Sequence, residues 1–61
     1  MIKIKTILKE ISKVSKIEDG CAVVHRSDLA RILLNNHTTL GHLSNHIKAV
    51  TNTYVCFDKN I

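Results

Sequence analysis

Proline and tryptophan are absent from the 61 residues, tyrosine and phenylalanine occur once each, and glycine and cysteine twice each. With no proline, no low-complexity tract and no internal repeat, nothing marks a linker, and residues 1–61 read as one small domain. Cys21 and Cys56 could close one disulfide. Nothing points to export, however, and thiols inside cells are held reduced, so free thiols are expected. No apolar run approaches the roughly 20 residues that span a bilayer. The start, Met1-Ile2-Lys3-Ile4-Lys5, alternates lysine with isoleucine instead of building an apolar signal segment. These features predict a cytoplasmic protein that does not enter a membrane.

Catalytic motifs are missing as well. There is no glycine-rich phosphate loop, no nucleophile elbow and no pair of carboxylates placed for acid–base work. Cys21 and His25 share one side of a short strand, with no third group to complete a catalytic set. No enzyme, no cofactor and no small-molecule substrate is expected. His42 and His46 stand four residues apart, a spacing that can bring two imidazoles to one metal. No cysteine or acid lies in the same turn and there is no Cys-x-x-Cys, so no metal site is expected either.

What the chain does have is charge in one place. Residues 1–16 hold Lys3, Lys5, Lys9, Lys13 and Lys16 against Glu10, a net +4, whereas in residues 17–61 four cations meet four acids. Ile4, Ile7, Leu8, Ile11 and Val14 fall within a stripe of about 120° on a helical wheel. Lys5, Lys9, Lys13 and Lys16 gather on the opposite side. The pattern predicts an amphipathic first helix with a lysine edge, stopping near Glu18-Asp19-Gly20, where Asp-Gly offers turn chemistry. That edge is a candidate contact for phosphates or for an acidic protein surface.

Further on, Cys21-Ala22-Val23-Val24-His25 predicts a short strand. Ser27 is the expected N-cap of a second helix carrying Leu29, Ala30, Ile32 and Leu33 to about Leu34. Asn35-Asn36-His37-Thr38 is a polar break. Leu40, Leu43, Ile47 and Val50 then step by three, four and three, which predicts a third helix over 39–50. Thr53 to Phe57 predicts a last strand, and the four residues after Phe57 are too few for another. The fold class expected is mainly α with a small β element, in the order helix, strand, helix, helix, strand.

That order resembles the winged helix-turn-helix family of DNA-binding domains. Leu29, Ala30, Leu33, Leu40 and Leu43 are similar in spacing to its two-helix motif, with small Ala30 where the helices would cross closely. Leu34 replaces the usual turn glycine, so the turn must differ, and the expected sheet is a reduced one without a wing. The resemblance implies a small dimeric regulator of the bacterial or phage repressor type that lays helix 39–50 in the major groove. Thr39, His42, Asn45 and Lys48 would then contact DNA. The other expectation is a phage- or plasmid-type interaction protein that inhibits or redirects a host protein through the basic first helix. Both suit a homodimer, because so short a chain has little core to stabilise it alone.

Overall fold

Ile7, Leu8 and Ile11 are buried along one edge of α1 (Ile4–Val14), as the apolar stripe requires. The computed structural model describes residues 3–61; Met1 and Ile2, where the lysine–isoleucine alternation begins, lie outside the described residues. The helix ends earlier than its charge pattern suggests. Ser15 takes an extended backbone, and its hydroxyl and amide both donate to the Ser12 carbonyl, at 2.9 and 3.3 Å. A serine offers the backbone this local alternative to continuing a helix.

The segment expected to end the helix instead forms a hairpin. β1 (Lys16–Glu18) pairs antiparallel with β2 (Cys21–His25), Glu18 opposite Cys21. Asp19 and Gly20, with φ of 50° and 77°, make the two-residue turn between them. Two consecutive positive φ angles are what a tight hairpin turn of this hand needs, and Asp-Gly is among the pairs that adopt them most readily.

α2 (Arg26–Asn35) follows β2 without a linker. Ser27 is not its cap: His25, the last strand residue, fills that role, its ring Nδ1 accepting from the Ser27 amide at 3.1 Å. At the other end His37 takes φ of 50°, the Thr38 amide donates to the Leu33 carbonyl at 3.0 Å and the His37 amide to that of Leu34 at 3.2 Å. This is the doubled closure normally built around glycine. The Asn36 side chain donates to the Ile32 carbonyl and to Glu10 Oε2, at 2.8 and 3.0 Å, locking the end of α2 to α1.

The largest correction concerns 39–50. No α-helix forms there. A 3-10 helix covers Leu40–His46, and Ile47–Val50 is a strand, β3, joined through Thr51-Asn52-Thr53 to β4 (Tyr54–Asp58). The composition accounts for the change. Gly41, His42, Ser44 and Asn45 are weak α-formers, and Leu40 and Leu43, three apart, line up better at three residues per turn than at 3.6. Val50, expected on the buried face, is 53% exposed.

All four strands form one antiparallel sheet in the order β1-β2-β4-β3. β4 pairs with β2 on one side and with β3 on the other, a second partner that the reduced sheet expected from the sequence does not include. Helix makes up 47% of the structure and strand 29%, so the mainly α, winged-helix-like expectation is corrected to a mixed fold, with helices covering one face of a four-stranded sheet.

The core lies between that face and the helices. Ala22 and Val24 from β2, Val55 and Phe57 from β4, Ile7, Leu8 and Ile11 from α1, Leu29, Ile32 and Leu43 form it, with Ile4, Leu33, Leu40 and Ile47 half-buried at its margin; Val14, expected in the same stripe, is exposed. Phe57 and Leu43 are fully buried. Truncating either removes a large part of a thin core. Phe57→Ala should cost about 3–5 kcal/mol and Leu43→Ala about 2–5 kcal/mol, most of the stability a chain of this size commands. Leu33→Ala should cost less than Leu43→Ala. Urea titration followed by circular dichroism checks the ranking, which fails if Leu33→Ala is the more damaging.

Candidate functional site

Three exposed features have the chemistry to bind something. The first is the lysine edge. Lys5, Lys9 and Lys13 are exposed on the side of α1 turned away from its buried stripe, four residues apart, so neighbouring Cβ atoms lie about 6 Å from each other. Glu10, the one acid of this helix, is half-buried and bonded to Asn36. Lys16, expected on the same edge, has left it. It sits in β1 opposite Val23, on the sheet face that the helices do not cover.

The second feature is the former recognition segment. Its four expected DNA contacts do not share a helical face. Thr39 precedes the 3-10 helix, and His42 turns back toward it. His42 Nδ1 accepts from the Thr39 amide at 3.4 Å and lies 2.9 Å from the Thr38 hydroxyl and 3.3 Å from that of Thr39, so these groups are engaged in capping. Asn45 and Lys48 are exposed but stand on different elements, the 3-10 helix and β3. Ala30, expected beneath a crossing helix, is exposed and borders an open apolar groove of about 140 Å³ with Leu33 and Leu40.

The third feature is the uncovered sheet face, which the reading of the sequence passed over. Strand registers place three rows across it. Glu18, Cys21 and Asp58 form one end; Lys16, Val23, Cys56 and Ala49 form the middle; His25 and Tyr54 form the other end. At the His25 end the surface sinks into an open depression of about 400 Å³ bordered by Val14, Lys16, Val23, His25 and Tyr54, with Glu18 and Asp28 beside them. The Tyr54 ring meets His25 edge-on at 5.5 Å between centroids.

The same geometry limits the chemistry available. Cys21 and His25 do share a face, but four strand residues separate them by about 13 Å, too far for proton transfer. Cys21 and Cys56 are free thiols lying diagonally on neighbouring strands. Among the described residues, no three histidine, cysteine or acidic side chains converge to hold a metal ion, and no helix is long and apolar enough to cross a membrane.

Comparison of the chain with protein family models, curated proteins and solved structures finds no match.

His25 is shared between the depression and the start of α2, since its Nδ1 also lies 2.7 Å from the Ser27 hydroxyl. His25→Ala should cost about 1 kcal/mol through loss of the cap, and His25→Asn should recover most of it, because asparagine caps helices by the same kind of acceptor. Thermal melts of the two variants decide the matter: equal losses would show that the ring, not its acceptor nitrogen, is what stabilises this end.

Proposed function

We propose that this chain is a small interaction protein that docks on an acidic protein surface through Lys5, Lys9 and Lys13 of α1. The observation that carries the reading is the geometry of the lysine row. Three cations stand on successive turns of one helix, on its outward side, while the only acid of that helix is bonded elsewhere. The excess charge of the chain is concentrated within the segment that holds them. A row of this kind steers an acidic partner into register and raises its rate of association more than it raises raw affinity.

A sequence-reading DNA regulator draws less support from the same structure. Reading bases takes an element that enters a groove with several side chains aimed at base edges. The segment cast in that role is a seven-residue 3-10 helix followed by a strand, with Thr39 and His42 engaged in the cap of the 3-10 helix. Contact between α1 and duplex DNA through three lysines alone would be insensitive to sequence and would weaken steeply with salt.

The deciding measurement is capture from lysate of the source cells, with and without nuclease treatment, by the wild type, by a variant with Lys5, Lys9 and Lys13 all changed to Glu, and by Asn45→Ala. Circular dichroism first confirms that each folds. One stoichiometric acidic protein should be held by the wild type and by Asn45→Ala and lost from the lysine variant. Recovery of nucleic acid alone, or sequence-selective DNA binding that Asn45→Ala weakens by about 1–3 kcal/mol, overturns the reading in favour of the regulator.

A further inference from the structure

We infer that Cys21 and Cys56 together form a two-coordinate site for a soft monovalent cation of the copper(I) class, set in the uncovered face of the sheet. The two thiols are far apart in the chain and are brought together by the pairing of β2 with β4. Cys21 stands opposite Asp58 and Cys56 opposite Val23, so the cysteines share one face and lie one diagonal step from each other. The Arg26 amide donates to the Thr53 carbonyl one position beyond the His25–Tyr54 pair. Counting back along the ladder from that bond makes Cys21–Asp58 and Val23–Cys56 pairs without mutual backbone hydrogen bonds, the positions at which side chains of facing strands come closest. Both thiols are free and half-buried, within reach of an ion from solvent.

The diagonal decides between a disulfide and a metal bridge. Cα atoms so placed on neighbouring strands are about 7–8 Å apart, past the roughly 7 Å above which a disulfide needs the backbone to move. An ion between the sulfurs relaxes that demand. A disulfide holds its sulfurs about 2.0 Å apart, whereas two metal–thiolate bonds of about 2.3 Å set end to end hold them roughly 4.6 Å apart. The wider bridge suits the wider pair. Which ion fits follows from the number of donors. Zinc takes four protein ligands in a structural site and three in a catalytic one, but among the described residues no three histidine, cysteine or acidic side chains converge. Copper(I) favours thiolates and is held by as few as two of them in line.

The neighbours fit the charge changes that binding brings. Glu18 and Asp58 stand on either side of Cys21 in its row, and their carboxylates draw a cation toward the thiols. Capture forms two sulfur–metal bonds and breaks two S–H bonds, releasing two protons to water, and the resulting bis-thiolate complex carries one negative charge. Lys16, opposite Val23 and so diagonal to Cys21, brings a positive charge beside that anion. Val23 and Ala49, on either side of Cys56, make the rest of the surroundings apolar. The ion arrives as copper(I) and stays so, with no electron transferred. The helices lie on the other side of the sheet, so the inference does not rest on the role proposed for the lysine row.

The test is an anaerobic titration of the reduced whole chain with copper(I) in competition with the coloured chelator bicinchoninate, for the wild type, Cys21→Ser and Cys56→Ser. The wild type should take up one ion per chain. Each serine variant should hold it about 10²–10⁴-fold more weakly, because removing one thiol removes the high effective concentration at which it meets an ion already on the other. Thiol alkylation of the wild type supplies a second measurement that needs no substitution, and so decides the question even if a serine variant does not fold. One equivalent of copper(I) should protect both cysteines from iodoacetamide together, read by peptide mass, and an equal concentration of zinc should protect neither. Two ions or half an ion per chain, protection of one thiol alone, protection by zinc, or a folded serine variant that binds as tightly as the wild type overturns the inference.

Discussion

β4 is held on both sides at once, by β2 and by β3, and it carries Phe57 and Val55 into the core. Its partner β2 lies more than thirty residues earlier, Ala22 opposite Phe57, so the sheet closes only after α2 and the 3-10 helix have been laid down between them. That closure costs chain entropy, which the burial of Phe57, Val55, Ala22 and Val24 has to offset. It also dictates where the helices go. Both must cover the single face on which those side chains stand, and among the described residues no helix packs over the other.

The connections follow from the same economy of length. β2 runs straight into α2, so the last strand residue must also cap the helix, and His25 does both. The α2 start is tied across to the β3–β4 turn, where the Arg26 amide donates to the Thr53 carbonyl at 2.9 Å. Within that turn the Thr51 hydroxyl oxygen accepts from the Tyr54 amide at 2.8 Å while its own amide and hydroxyl donate to the Tyr54 carbonyl. With no proline to hold a turn rigid, side-chain oxygens and ring nitrogens fix these bends. Threonine, asparagine and histidine do here what proline and glycine do in longer loops.

Elements governed by local periodicity were legible in the sequence. The α1 stripe, the β2 strand, the α2 helix and the polar break after it fall within a few residues of where spacing puts them, because each is decided by neighbours three or four positions away or by alternation. The segments decided by distant partners were not. Ile47 to Val50 extends an apolar spacing that fits a helix, yet β4 offers a free edge there, and pairing with it outweighs a weak helical preference in residues that include glycine, serine and asparagine. Asp19-Gly20 was ambiguous in a different way, since the same pair that can end a helix can turn a hairpin. The alternation of Lys16, Ile17 and Glu18 before it was the signal that would have separated the two. The lysine edge was legible but for Lys16, and the uncovered sheet face was not, because which side of a strand is outward depends on where the helices settle.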